Sequence, residues 1–173
     1  QMIRARDGRV WVASDRGGFH LDPQPAGIVE LDASLPGGQA HQQPNLARSL
    51  HVDRRGRLWL GSTEGVVQVL DPRSGQRQVI HLPAPLHRTD VVAIAEDGQG
   101  QIWVASNGVA VLDPDTLAVR GGGALPQVPV QRYLALVAQG DRVWVGGREG
   151  ILELDRSGRL LRRMDDDRQG LRS

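Results

Sequence analysis

The sequence predicts an all-β chain built from about four copies of one four-stranded antiparallel unit. The first observation is a repeated motif, in which a short apolar strand containing tryptophan is followed by glycine and a second apolar strand ending in aspartate; residues 101–113 contain it in full. The second is that Gly or Pro interrupts nearly every window of about a dozen residues, which disfavours helices. The exception, around residues 91–94, is β-branched and favours a strand.

Every tryptophan occupies the same place in this unit. They are 48, 44 and 41 residues apart, at Trp11, Trp59, Trp103 and Trp144. Internal repeats with a period in the forties are typical of β-propellers. Inner strands such as 91–95 and 134–138 are apolar on both faces, so each sheet is expected to pack between two neighbours around an axis. We therefore interpret the tryptophans as packing anchors between blades, whose indole N–H groups need an acceptor when buried.

The spacing predicts the blades and their order. Blades are expected at residues 1–36, 46–83, 89–126 and 131–164, followed by a connector at 165–173 that leads to a further blade. Because the fourth unit already has four strands, the chain is expected to be part of a larger ring. In the first blade, Gly18 and Gly27 both fit the glycine that opens the third strand. We choose Gly18 because it needs no insertion, which makes 28–31 the outer strand; in the third blade a weak outer strand is predicted over 117–120.

The aspartates that end the third strands are predicted to be turn formers. Asp22, Asp71 and Asp113 are each followed by proline, and Asp155 by arginine. An aspartate carboxylate readily accepts a hydrogen bond from the backbone two residues further on, and this explains the pattern without a ligand.

The composition excludes several classes of function. The 173 residues carry a formal charge of +1, and the 21 basic residues, all arginine, are spread along the chain, which disfavours nucleic-acid binding. Cysteine is absent, so there is neither a disulfide framework nor a thiolate metal site. No apolar run approaches the roughly 20 residues of a membrane span, so no direct membrane insertion is expected. The chain opens in strand-like sequence, and we expect a processed or excised piece of a longer protein.

The repeated unit resembles that of the two-component-regulator propeller family. Residues 53–62 and 97–106 carry the motif best, with Asp-x-x-Gly-x-(Ile/Leu)-Trp, and residues 169–173 are similar to the connector of that family. The resemblance implies an extracytoplasmic, periplasmic sensor propeller that precedes a membrane helix and a histidine kinase or diguanylate cyclase module. It also implies that this region is a ligand-sensing unit without catalysis or a cofactor of its own.

A second resemblance leaves an enzyme as the alternative. Streptogramin-lyase-like propellers also carry a Gly-x-(Ile/Leu)-Trp strand in each blade, and they use a histidine and acidic groups with a divalent metal. The five histidines of this chain show no repeated short spacing to an acid and no His-Glu-x-x-His motif, so no metal site is predicted. A protein-interaction scaffold is the third alternative.

Candidate binding residues are expected on the rim formed by the loops between second and third strands and by the links between blades. Pockets need a few convergent polar groups, and this rim offers Asp15, Arg16, His41, Asn45, Arg48, His87, Arg88, Arg132 and Tyr133. Arginines recur where inner strands begin, which favours a carboxylate-bearing or otherwise anionic ligand. The expected partners are a small-molecule or carbohydrate-type ligand, and either the remaining blades of the parent chain or a second copy that would complete an eight-bladed ring.

Overall fold

Four antiparallel sheets follow one another along the chain. The computed structural model describes residues 1–5, 8–14, 17–23, 26–31 and 47–164. The first sheet contains β1 (Met2–Arg4), β2 (Val10–Ser14), β3 (Gly17–Pro23) and β4 (Ala26–Leu31). The second contains β5 (Ala47–Val52), β6 (Leu58–Ser62), β7 (Val66–Leu70) and β8 (Arg77–His81). The third contains β9 (Ala93–Glu96), β10 (Ile102–Ala105) and β11 (Val109–Leu112), and the fourth contains β12 (Tyr133–Gln139), β13 (Arg142–Gly147), β14 (Gly150–Asp155) and β15 (Leu160–Met164).

In every sheet the strands lie side by side in chain order, as in a propeller blade. Apart from one turn of 3-10 helix at Arg120–Gly122, the described ranges contain no helix. The all-β prediction is therefore confirmed.

The four tryptophans occupy equivalent positions, as predicted. Each lies on the second strand of its sheet and is flanked by the first and third strands: Trp11 by Ile3 and His20, Trp59 by His51 and Val69, Trp103 by Ala95 and Val111, and Trp144 by Val137 and Glu153. The repeat read from the sequence is thus a repeat of tertiary structure.

The first sheet adopts the shorter of the two registers. Gly18 on β3 lies opposite Ala13 on β2 and Leu31 on β4. Gly27 belongs to the outer strand, where it lies opposite Asp22. The choice of Gly18 for the third strand is therefore correct, and the outer strand begins two residues earlier than predicted.

Three of the four tryptophans anchor one sheet on the next. Trp59 packs with Ile94 and Ile102 of the third sheet, and Trp103 packs with Leu136 and Val143 of the fourth. Trp11 likewise packs against Leu50, Leu58 and Leu60 of the second sheet. These three side chains are at most 2 % exposed. The core therefore consists of apolar layers between successive sheets rather than of one central cluster.

The outer strand expected in the third sheet does not form. Residues 117–120 do not form an outer strand, since only an isolated bridge joins Leu112 to Val119. Leu117 has a φ of 60°, and Gly121 and Gly122 have φ of 71° and 73°, values that no extended strand accommodates. The third sheet consequently has three strands.

The expectation that the inner strand of the fourth sheet is buried on both faces is also wrong. Leu134 is 55 % exposed and Val137 is 58 % exposed, whereas Leu136 packs against the third sheet. Trp144, on the same face as Val137, is only half-buried. Within the described chain no fifth sheet covers this face, which explains why the apolar pattern is not matched by burial.

Candidate functional site

The loops between second and third strands and the links between sheets meet at one end of the sheets, which we call the rim. This follows from the up-and-down order of the strands. The links before the third and fourth sheets are each fixed to the loop of the preceding sheet by backbone hydrogen bonds. The N–H of Gly65 donates to the Thr89 carbonyl at 2.8 Å, that of Val91 to Ser62 at 3.0 Å, and that of Tyr133 to Ser106 at 3.0 Å.

A cleft of about 260 Å³ opens on the rim between the third and fourth sheets, and we call it the rim cleft. It is lined by Thr89, Asp90, Val92, Ser106, Asn107 and Arg132. The hydroxyls of Thr89 and Ser106 are hydrogen-bonded to each other, and Thr89 Oγ1 also donates to the Leu86 carbonyl at 3.1 Å. These bonds hold Thr89 and Ser106 together, and Asp90, Asn107 and Arg132 line the same cleft.

Arg132 lines the cleft, whereas Arg48 is not among the lining residues and pairs with the lining carboxylate of Asp90. Arg48 Nε lies 3.3 Å from Asp90 Oδ2, with both side chains partly exposed, so this pair stabilises the fold by no more than about 1 kcal/mol. Arg132 is exposed, and no carboxylate in the described ranges forms an ion pair with it. The fork of its guanidinium group therefore remains available to a carboxylate or phosphate.

The predicted site residues fall into three groups. Arg48, His87, Arg88 and Arg132 lie on the rim, but of these four only Arg132 lines the rim cleft; His87 and Arg88 are exposed, and Arg48 pairs with Asp90. Tyr133 is fully buried, its hydroxyl donates to the Pro129 carbonyl at 2.8 Å, and burial raises its pKa. Tyr133 is therefore a core residue. Asp15, Arg16, His41 and Asn45 lie outside the described residues, as does the connector at 165–173.

Sequence reasoning missed Thr89, Asp90, Ser106 and Asn107. Ser106 ends the repeated motif, and this position is serine in three of the four units, which is a signal that the first three loops begin alike. Thr89 and Asp90 come directly after Arg88, in a link for which the sequence offered no repeat to align.

The opposite end of the sheets, formed by the hairpin turns, carries a larger cavity of about 510 Å³. Its lining includes Ile3 and Ala5 of the first sheet, His51 and Arg54 of the second and Glu96 of the third. Glu96 accepts hydrogen bonds from the backbone N–H of Arg54 at 2.8 Å and from Arg54 Nε at 2.6 Å. This carboxylate, on a side chain that is 11 % exposed, therefore connects the second sheet to the third.

His51 stands beside the same carboxylate. Its Nε2 lies 3.8 Å from Glu96 Oε2, beyond hydrogen-bond length, and this buried nitrogen has no hydrogen-bond partner among the described residues. Burial lowers the pKa of His51, and the nearby Glu96 and Asp53 carboxylates oppose that shift in part. The imidazole is consequently neutral at neutral pH.

Within the described ranges, no three His, Asp or Glu side chains come together in a way that would hold a metal ion. In the same ranges, no helix is long and apolar enough to cross a membrane.

This architecture defines the chain as a β-propeller. The resemblance to the two-component-regulator propeller is confirmed, because the family described as two component regulator propeller matches residues 85–108. That segment runs from the link before the third sheet to the loop after its tryptophan strand. No curated protein matches the chain in sequence.

Solved structures of propellers are similar over almost the whole chain. The extracellular domain assigned to the hybrid two component system BT3049 of B. thetaiotaomicron is 19 % identical, with a TM-score of 0.68 over 96 % of this chain and 22 % of that one. The extracellular domain assigned to BT4673 of the same organism is 22 % identical, with a TM-score of 0.68 over 88 % of this chain and 20 % of that one.

Virginiamycin B lyase from Staphylococcus aureus is 17 % identical, with a TM-score of 0.73 over 92 % of this chain and 53 % of that one. This chain therefore spans about a fifth of the two extracellular domains and about half of the lyase. At these identities the similarity establishes the propeller fold.

Proposed function

We propose that this chain is the ligand-sensing region of a bacterial membrane-anchored signalling protein, of the hybrid histidine kinase or diguanylate cyclase type, and that it lies in the periplasm. The observation that carries the proposal is the family match to residues 85–108, the segment that supplies Thr89, Asp90, Ser106 and Asn107 to the rim cleft. The similarity to extracellular domains assigned to two component systems supports the same function.

The rim cleft is the proposed ligand site. Its volume of about 260 Å³ is just below the roughly 300–1,000 Å³ of pockets for drug-sized ligands, so it suits one end of such a molecule. Arg132 would bind a carboxylate or another anionic group through its guanidinium fork. Asp90 and Asn107 would bind hydroxyl or amide groups, which suits a polar small molecule or a carbohydrate.

The chain is also proposed to act together with further blades. Val137, Trp144 and Ile151 form an apolar face on the fourth sheet that remains partly exposed, whereas the corresponding faces of the first three sheets are covered by the next sheet. Further blades of the parent chain, or a second copy of this chain, are the proposed cover.

A lyase is the second candidate, favoured by the structural similarity to virginiamycin B lyase. The two functions require different groups on the rim. A lyase needs a histidine and acidic groups around a metal, whereas a sensor needs only groups that bind. Incubation of the parent protein with a streptogramin and Mg²⁺, followed by liquid chromatography and tandem mass spectrometry, separates them, because elimination would give a linear isomer of unchanged mass. Ring opening would contradict the non-catalytic proposal.

The sensor proposal is tested by replacing Arg132 with Ala in the parent protein and measuring kinase or cyclase output against the dose of a ligand found by thermal-shift screening. The expected result is a midpoint shifted about tenfold or more to higher dose, since one charge-assisted contact is lost. Arg156→Ala, in a hairpin turn at the opposite end, is the matched control and should leave the midpoint unchanged. An unchanged midpoint for a folded Arg132→Ala variant would remove the rim cleft as the site.

A further inference from the structure

Arginines are concentrated on the hairpin end of the second sheet, on the side opposite the rim. The turn after β5 supplies Arg54, Arg55 and Arg57, and the turn after β7 supplies Arg73. Both turns lie at the same end of the sheet because the strands alternate in direction. We call the surface formed by these four side chains the arginine face.

Two cavities meet at this face. The cavity of about 510 Å³ reaches from the first sheet to Glu96, and a second one of about 340 Å³ lies against Arg57, Gln76 and Gln78. Arg55 and Arg73 line both cavities and therefore form the boundary between them. An anionic group placed at this boundary would face two guanidinium groups at once.

Among the described residues, the carboxylates near this face are already engaged. Asp53 accepts four hydrogen bonds, including one from Arg57 Nε at 2.8 Å and one from Trp59 Nε1 at 2.9 Å. Asp71 lines the smaller cavity, and the backbone N–H of Arg73 donates to its Oδ1 at 2.8 Å. Glu96 is held by the backbone and side chain of Arg54. These carboxylates hold the turns and the contacts between sheets. Some guanidinium N–H groups of the arginine face therefore have no carboxylate partner within the described part of the chain.

Two donors in particular lack a counter-charge or acceptor. Arg57 Nη2 is buried and has no hydrogen-bond partner among the described residues, although Arg57 Nη1 donates to the Pro114 carbonyl at 2.7 Å. In the same part of the chain, no carboxylate forms an ion pair with the guanidinium group of Arg73. Arg55 does pair with Asp115, but both side chains are at least half exposed, and such pairs exchange readily.

We propose that the arginine face is a second binding site, distinct from the rim cleft, for a small organic anion. The carboxylate or phosphate group binds between Arg55 and Arg73 and reaches towards Arg57. The body of the ligand occupies the larger cavity, where Ile3, Ala5 and Val52 provide a partly apolar wall.

The chemistry of these groups selects the ligand class. Guanidinium groups bind carboxylate and phosphate through paired N–H donors, and a larger cavity with an apolar wall favours an organic anion over a bare inorganic one. The proposal does not depend on the rim cleft, because the two sites lie at opposite ends of the sheets.

The test uses the ¹⁵N-labelled chain and follows the arginine Nε–H signals by NMR during titration with succinate, inorganic phosphate and succinamide. Succinamide is the uncharged match of succinate. The expected result is a saturable shift of the Arg55, Arg57 and Arg73 signals with succinate or phosphate and none with succinamide. Tighter binding of succinate would assign the site to organic carboxylates, and tighter binding of phosphate to phosphorylated compounds.

Variants make the test specific. Arg73→Gln and Arg55→Gln should each weaken binding about tenfold, since each removes one charge-assisted contact. Arg88→Gln removes the same charge from the exposed rim and should change the affinity less than about twofold, because separated surface charges are largely screened. A loss in Arg88→Gln equal to that in Arg73→Gln, or the absence of any saturable shift, would overturn the proposal.

Discussion

Trp59 Nε1 donates a hydrogen bond to Asp53 Oδ2 at 2.9 Å, and the carboxylate that accepts it also closes the turn between the first two strands of the sheet. Trp103 and Asp97 repeat the arrangement in the third sheet, again at 2.9 Å. One side chain thus links the hairpin turn to the tryptophan that packs against the next sheet. The spacing Asp-x-x-Gly-x-x-Trp therefore has a physical cause, which is the need of a buried indole N–H for an acceptor.

Replacing Asp53 by Ala is expected to lower the free energy of unfolding by about 3 kcal/mol. The change leaves the indole N–H of the buried Trp59 and the Nε–H of Arg57 without their acceptor, and removing one partner of such a pair is costly. Urea unfolding followed by tryptophan fluorescence measures the effect. Asp71→Ala, in an exposed turn, is the control and should cost clearly less; equal losses would contradict the special role of Asp53.

The positions of the tryptophans follow from the sequence because the tryptophan strand is repeated four times, and the turns at Asp53 and Asp97 follow because each aspartate accepts the indole N–H of its tryptophan. The outer strand of the third sheet did not follow, because Leu117 adopts a positive φ that composition does not reveal. The candidate site was predicted less well than the fold. Arg132, which lines the rim cleft, was expected on the rim because arginines recur where inner strands begin, whereas Thr89 and Asp90 lie in a link whose path depends on contacts with the preceding loop.

A methyl group at Gly61 is expected to destabilise the protein, whereas one at Gly146 is not. A Cβ at Gly61 would lie 2.2 Å from Ser49 Oγ and 2.6 Å from Val91 Cγ1, but at Gly146 the nearest atom would be Ala135 Cβ at 3.8 Å. Gly61→Ala should therefore cost about 1–3 kcal/mol through overpacking, and Gly146→Ala less than about 0.5 kcal/mol. Thermal and urea unfolding of the two variants provide the comparison, and an equally stable Gly61→Ala would show that the second and third sheets separate easily.

His51 is expected to make stability depend on pH. Because burial lowers its pKa below the ordinary value of 6.5, the unfolded chain binds the proton more readily than the folded one. Stability is therefore fully present above about pH 6.5 and is lost as the pH falls through the lower pKa of the folded state.

Urea unfolding at pH 7.5, 6.5 and 5.5 measures this dependence. His51→Gln should flatten the dependence between the first and last pH, whereas His87→Gln, at an exposed position, should leave it as in the unmodified chain. A dependence that survives in His51→Gln would assign it to other groups.

The exposed face of the fourth sheet is expected to make the isolated chain associate. Val137 is 58 % exposed and Ile151 36 % exposed, and both lie on the face that carries the half-buried Trp144. On the other sheets the tryptophan face is covered, and apolar faces left open favour association.

Val137→Glu places a charge in the centre of this face and should shift the chain towards the monomer in sedimentation velocity at increasing concentration. Val130→Glu adds the same charge at a valine that is 67 % exposed outside the sheet, and should not. If the unmodified chain stays monomeric throughout the concentration series, this face does not bind a second copy, and only further blades of the parent chain would remain as its cover.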